Sequence, residues 1–209
     1  MPSGMISNKS LNLIIAGVGG QGNVLMAFLI GRALVRAGYL VSVSDTYGLS
    51  QRGGAVASHV RIFKEFMRSP LIPEGQADIV VGIEPIETLR ALVRFGNSNV
   101  VTITNIRPVY PLDVISGEAE YPNLDKVIAD IRRLSTKCWL IDATEEAAKL
   151  GSPILANIIL MGALVGSDLL PLDQKSLKPI LQESFSSEVF EANMRALNRG
   201  IEIVKAKKA

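Results

Sequence analysis

Leu11-Asn12-Leu13-Ile14-Ile15-Ala16-Gly17-Val18-Gly19-Gly20-Gln21-Gly22 is the stretch on which the reading of the whole chain turns. Leu11 to Ala16 is a short apolar run that suits a strand buried on both faces. Gly17 to Gly22 follows as a glycine-rich turn. Asn23 to Ala37 then predicts a helix whose inner face carries Leu25, Met26, Leu29, Ile30, Ala33 and Leu34. Gly38 stands where a helix stop is expected. Leu40 to Ser44 reads as a second strand, completing a β–turn–α–β unit of the length that a parallel crossover requires.

The same alternation continues outward. Asp45 to Gly54 is a polar, glycine-rich segment. Ala55 to Phe63 then alternates, with Val56, Ser58, Val60 and Ile62 pointing one way and Ala57, His59, Arg61 and Phe63 the other. That pattern predicts a strand with one polar-tolerant face. Strands are expected at Ile79–Gly82, Asn99–Thr104 and Lys137–Asp142. Helices are expected from Pro85 to Arg94, with proline at the first helical position, and along the face Leu124, Val127, Ile128, Ile131 and Leu134. A proline-containing connection, Asn105 to Asn123, lies between strand and helix. Thr144 to Leu150 should form a short helix stopped by Gly151.

The last third reads as helical, with Pro153–Val165 apolar nearly all round and Ser187–Lys205 amphipathic. No repeat, low-complexity tract or linker interrupts the chain. The expected architecture is α/β: a single domain spanning residues 1–209, three layers α/β/α about a mostly parallel, Rossmann-like sheet, with a helical C-terminal third.

Composition narrows the function classes. The 209 residues carry 22 basic and 20 acidic side chains, a formal charge of +2. Both signs are spread along the chain, so no electrostatic footprint for a nucleic acid is present. Lys205, Lys207 and Lys208 read as a solvated tail. With Cys138 the single cysteine, no internal disulfide and no four-cysteine iron–sulfur cluster can form within the chain. The single histidine, His59, excludes a multi-histidine zinc site. The apolar run Pro153–Val165 is shorter than the roughly 20 residues a bilayer span needs. Neither a leader nor a membrane association is expected from these features, and a cytoplasmic location is.

Two motifs bear on chemistry. Gly17, Gly19 and Gly22 satisfy a dinucleotide fingerprint in strand–turn–helix context, where glycines let a phosphate approach the backbone and helix N-terminal amides point at it. Asp45, near the end of the second strand, stands where an acidic residue would hold a ribose. Tight packing of helix on strand is the competing explanation of the glycines. Ser50-Gln51-Arg52-Gly53-Gly54 is the second motif: an arginine followed by two glycines could present a planar fork to a carboxylate or phosphate. Loops at the carboxyl ends of parallel strands converge on one crevice, so the two motifs should lie near each other.

Other residues have milder readings. A lone histidine such as His59 usually serves packing, and no carboxylate partner can be assigned to it from sequence; general acid–base work is the competing role. Glu84, before Pro85, should favour a helix N-terminus. Cys138, beside Trp139 and Leu140, reads as a buried thiol and not as a nucleophile. There is no Gly-Lys-Ser/Thr phosphate loop and no Gly-x-Ser-x-Gly turn. Nothing here is a self-sufficient active site.

These residues, taken in order, resemble the gamma-type domain of 2-oxoacid:ferredoxin oxidoreductases. The resemblance rests on Gly17–Gly22, Ser50–Gly54 and Ser58-His59-Val60-Arg61. Gln51-Arg52-Gly53-Gly54 and Ser69-Pro70-Leu71-Ile72-Pro73-Glu74-Gly75 look most like the small (beta) subunits of the indolepyruvate type. Gly82-Ile83-Glu84-Pro85, Leu89-Arg90, Asn157–Leu164 and Leu170-Pro171 extend the likeness over essentially the whole chain. Asn23 departs from the pattern, which often has an apolar residue there.

The resemblance implies oxidative decarboxylation of an aryl 2-oxoacid to an acyl-CoA, with electrons passed to ferredoxin. It implies that thiamine diphosphate, magnesium and [4Fe-4S] clusters reside on a large (alpha) partner and that coenzyme A is a co-substrate. Carried over by position, Gly17, Gly19, Gly20, Gln21, Gly22, Gln51, Arg52, Gly53 and Gly54 would line a shared crevice. Whether they meet coenzyme A, thiamine diphosphate, the substrate or the partner surface stays open at this point. Two alternatives also stay open: a stand-alone oxidoreductase binding NAD or a flavin nucleotide through the glycines and Asp45, and a purely structural interaction subunit.

Overall fold

The computed structural model describes residues 10–48 and 54–206. Six strands form one sheet in the order β2-β3-β1-β4-β5-β6. The strands are β1 (Leu11–Val18), β2 (Leu40–Tyr47), β3 (Ala55–Phe63), β4 (Ile79–Gly82), β5 (Val101–Asn105) and β6 (Lys137–Ile141). Helix α1 (Asn23–Arg36) follows β1, and α2 (Pro85–Phe95) follows β4. A single turn, α3 (Leu112–Ile115), interrupts the connection to α4 (Leu124–Arg133). After β6 come α5 (Ala143–Lys149), a 3-10 turn (Pro153–Leu155), α6 (Ala156–Gly166), α7 (Gln174–Ser184) and α8 (Ser187–Ala206). The expected α/β class with a helical C-terminal third is what forms.

β1 explains the layering. It is central and buried, so its alternate side chains feed two cores. Leu13 and Ile15 pack with Met26 and Ile30 of α1 and with α6 and α8. Ile14 and Ala16 pack with Leu92 and Phe95 of α2 and Ile131 of α4. Burial of each such aliphatic side chain stabilises by about 1.5–3 kcal/mol, which is why a run that is apolar apart from the hydrogen-bonded Asn12 is needed here.

Two expectations need correcting, and a third needs its physical reason. β2 runs parallel to β1, but β3 returns antiparallel between them, so the crossover unit is split by a reversed strand. β3 has the polar-tolerant face expected of it, but that face is buried. His59 and Arg61 are buried with relative exposures of 1% and 6%. The polar side chains are tolerated because each finds at least one hydrogen-bond partner, His59 through Nδ1 and Arg61 through its whole guanidinium. Arg61 donates to Asn12 Oδ1 (3.1 Å), to the carbonyls of Ser69 (2.5 Å) and Leu71 (3.2 Å), and to Ser10 Oγ (3.2 Å). A guanidinium satisfied in this way fastens the segment after β3 under the sheet. Finally, Leu25 is not on the inner face of α1; it is 38% exposed, whereas Met26, Leu29, Ile30, Ala33 and Leu34 are buried.

α6 is buried along its full length. Its outer side is closed by α8 at backbone contact distance, since a Cβ on Gly200 would lie 1.9 Å from Ile159 O and one on Gly162 would lie 2.1 Å from Leu197 O. Among the described residues no helix is long and apolar enough to cross a membrane.

Candidate ligand crevice at the glycine loop

β1 ends at Val18, and the loop that follows is shaped by its own glutamine. Val18 N–H donates to Gln21 Oε1 (2.7 Å), and Gln21 N–H donates back to Val18 O (3.2 Å). Gln21 therefore braces the turn. Gly19 N–H donates to Gly54 O at 2.9 Å, which draws the two glycine motifs together at the carboxyl end of β1. That convergence was expected from the sequence. Gly22 is the N-cap of α1 with φ +86, and a Cβ there would collide with Asn157 Nδ2 at 2.1 Å. Only glycine satisfies both constraints.

α1 then starts with its first intrahelical bond from Met26 N–H to Gly22 O (2.9 Å). The amides of Asn23, Val24 and Leu25 thus have no acceptor within the helix. No acidic side chain offsets them in the first turn. Above them opens a cavity of about 1000 Å³, bounded by Gly19, Gly20, Val24, Phe28, Tyr47 and Gly54. One end is a helix N-terminus suited to an anion. The remainder is mostly apolar. The cavity therefore suits a ligand with a phosphate or carboxylate at one end and an apolar body at the other.

Asn23 is the residue that the sequence reading underused. It is 3% exposed, and its Nδ2 donates to Val56 O at 3.0 Å. That bond fixes the amide's orientation, since the flipped form would set two oxygens against each other. Asn23 Oδ1 is left buried without a hydrogen-bond partner among the described residues. The only signal in the sequence was its departure from the apolar residue usual at this place.

The other candidates distribute as follows. Asp45 is not at the cavity wall; its carboxylate accepts from Ser58 Oγ across the β2–β3 pair. Ser50, Gln51, Arg52 and Gly53 lie outside the described residues, while Gly48 and Gly54, on either side of them, both line the cavity.

His59 lies on the other face of the sheet. Its Nδ1 accepts from Ile72 N–H (3.2 Å), and its ring stands edge-on to Phe95 at 5.1 Å. Nδ1 as acceptor puts the proton on Nε2, which has no partner among the described residues. Burial, followed by the nearby Arg94 charge, lowers its pKa, so the ring is neutral. This is a packed histidine.

Glu84 caps α2, accepting from Glu87 N–H (2.9 Å) and from the Tyr121 hydroxyl. Burial and that bond to Glu84 push the Tyr121 phenol well above its ordinary range. Cys138 is half-buried against the second core.

Comparison with known proteins adds the ancestry. The chain is 38% identical over 190 residues to the indolepyruvate oxidoreductase subunit IorB of Archaeoglobus fulgidus, covering 91% of this chain and 93% of that one. It is 36% identical over 198 residues to the subunit of the same name in Thermococcus kodakarensis, covering 94% and 97%.

Solved structures share the fold. A pyruvate oxidoreductase subunit from Thermotoga maritima superposes with a TM-score of 0.68 at 23% identity, over 93% of this chain and 96% of that one. A 2-oxoglutarate:ferredoxin oxidoreductase from Magnetococcus marinus, with 2-oxoglutarate, coenzyme A and succinyl-CoA bound, gives 0.73 at 21% identity, over 96% of this chain and 32% of that longer one. The model of the pyruvate ferredoxin/flavodoxin oxidoreductase family matches residues 12–203, and the chain, with its glycine loop set over the start of α1, belongs to that family.

Proposed function

We propose that the chain is the small subunit of an indolepyruvate-type 2-oxoacid:ferredoxin oxidoreductase and that its glycine-loop crevice takes part in binding coenzyme A. The reaction converts an aryl 2-oxoacid and coenzyme A into an acyl-CoA and carbon dioxide, while an electron pair passes to ferredoxin. Thiamine diphosphate with magnesium and the [4Fe-4S] clusters belong to a large alpha subunit in this reading, because the chain has one cysteine in its whole sequence. When bound there, thiamine diphosphate supplies the decarboxylation chemistry. The setting is the cytoplasm, where ferredoxin would be met.

The observation that carries the reading is the cavity roofing the N-terminus of α1. Coenzyme A has phosphates and a long, weakly polar arm, and the cavity has unengaged helix amides at one end and Val24 and Phe28 along its wall. In this chain Gly19, Gly20 and Gly22 would let the phosphates reach backbone N–H groups, and Gln21 would hold the loop in shape. Arg52, with Ser50, Gln51, Gly53 and Gly54, would complete the anion contact from the adjoining loop. The identity to the indolepyruvate subunits over nearly their full length supports the substrate class. Asp45 accepts from Ser58 and does not line the cavity, which favours this reading over a stand-alone NAD or flavin enzyme.

The test uses the complex assembled with its large subunit. Gly20 has φ +97 and open space where a Cβ would be, so Gly20→Ala narrows the approach to the loop at a backbone strain of about 1 kcal/mol. Gly20→Ala and Arg52→Ala should each raise the KM for coenzyme A about tenfold or more, the loss of one charge-assisted phosphate contact. The KM for the 2-oxoacid should hardly move. Unchanged coenzyme A kinetics in both variants, with assembly intact, would leave only a structural role for this crevice.

A further inference from the structure

Among the described residues β2 stands at the edge of the sheet, paired with β3 on one side and with nothing on the other. Every second residue of such a strand turns its N–H and C=O outward. Natural edge strands are guarded by prolines, lysines, bulges, shortness or a covering element. Leu40-Val41-Ser42-Val43-Ser44-Asp45-Thr46-Tyr47 has no proline or lysine, and its eight residues pair with β3 without a bulge. Its one charged side chain is tied to Ser58.

Beside this bare edge runs an apolar groove of about 340 Å³, between β2 and the outer side of α1. Val41 and Val43 form its floor, and Phe28 and Val35 form its wall. Phe28 and Val35 are 53% and 57% exposed. Gly31 keeps the floor open, since a Cβ there would sit 3.0 Å from Val43 Cγ2. The rim is basic: Arg32 and Arg36 share one carboxylate, Glu183, and α1 has no acidic residue of its own.

Charge decides between occupants. A second copy pairing β2 against β2 would lay one α1 beside the other on a continuous sheet, with arginine pairs on both helices facing one another. A different chain can instead bring a carboxylate.

We infer that this edge receives an extended segment of the large subunit as a seventh strand, with apolar side chains in the α1–β2 groove and an acidic one toward Arg32 and Arg36. This is strand addition to a sheet edge, with specificity from the alternate side chains. The inference rests on the subunit reading above and names the surface that reading leaves undefined.

Hydrogen–deuterium exchange on the isolated chain and on the complex tests it. Outward amides of β2 should exchange freely in the isolated chain and slow by about tenfold or more on assembly. Val35→Glu and Val43→Glu should leave the melting temperature of the isolated chain within about 3 °C. Together they should weaken association at least tenfold, with the coenzyme A KM of whatever complex still forms unchanged. The inference falls if the double variant assembles like the parent, if β2 is already protected in the isolated chain, or if that chain is a dimer which these substitutions split. Should the substitutions unfold the chain, the exchange pattern of the unmodified protein still decides. Failure of the unmodified chain to bind any thiamine-dependent large subunit would sink the subunit reading itself, and this inference with it.

Discussion

α1 and α6 are both rich in apolar residues, but α1 carries Arg32 and Arg36 while α6 has no charged side chain, and their surroundings differ with them. All eleven residues of α6 are buried, under the sheet on one side and α8 on the other. α1 covers the same face of the same sheet, yet Val24, Leu25, Phe28 and Val35 remain at 38–57% exposure. A helix apolar on every side is stable in water only where something covers its outer side. Among the described residues, the C-terminal helix supplies that cover for α6, whereas the outer side of α1 is open between the glycine-loop cavity and the edge strand. A difference in what covers the two helices, matched by the arginines of α1 and their absence from α6, separates the part that holds the fold together from the part that meets other molecules.

The closed half should be the sensitive one. Gly200→Ala would drive a methyl group to 1.9 Å from Ile159 O and 2.7 Å from Ala163 N, both backbone atoms that cannot rotate away. α8 must then lift from α6. The expected loss is about 3 kcal/mol or more, at the upper end for overpacking. Urea denaturation of the isolated chain would measure it as a lower midpoint at unchanged slope. If Gly200→Ala is as stable as the parent, the tight α6–α8 contact is not what closes this side.

Much of this division is legible in the residues, but not all. The apolar run Leu11–Ala16 and the glycines after it point to strand, turn and helix, because burial on both faces and positive φ each have a plain signature. The alternation in Ala55–Phe63 is just as regular and marks the strand and its polar-tolerant face, but not how that face is satisfied. Periodicity reports that one face is polar; it does not report that Arg61 will find Asn12, Ser10 and two backbone carbonyls beneath the sheet. Leu25 misleads, since apolar residues on more than one side of α1 blur the angle of its inner face. At the crevice, the approach of Gly19 to Gly54 follows from topology, whereas the orphaned Asn23 Oδ1 depends on which carbonyl lies opposite its amide.

His59 offers a second way to sharpen the contrast, on the α2 side of the sheet. Burial holds its folded-state pKa below the ordinary 6.5, so the folded protein binds fewer protons than the unfolded chain as pH falls past that value. Its neutral form leaves stability intact above pH 6.5. Stability should then fall as pH drops from there toward the folded-state pKa, by no more than about 1.4 kcal/mol per pH unit for one proton. Comparing the parent with His59→Leu between about pH 5 and 7 isolates this slope, because the carboxylates contribute equally to both. Parallel stability curves would mean that the imidazole is wetter than its 1% exposure suggests.

The smallest effect carries the comparison furthest. Val35→Glu, on the outer side of α1, should change the stability of the isolated chain by no more than about 0.5 kcal/mol, as exposed helix positions do. Glutamate is a good helix former, and Arg32 and Arg36 stand one turn or less away on the same helix. A substitution that would be ruinous inside α6 is thus expected to be nearly silent here, although both helices are rich in apolar residues. A loss above about 2 kcal/mol on chemical denaturation would show that α1 already packs against something in the lone chain. The open side would then be closed, and the distinction between a helix covered by its own chain and one that awaits another would disappear.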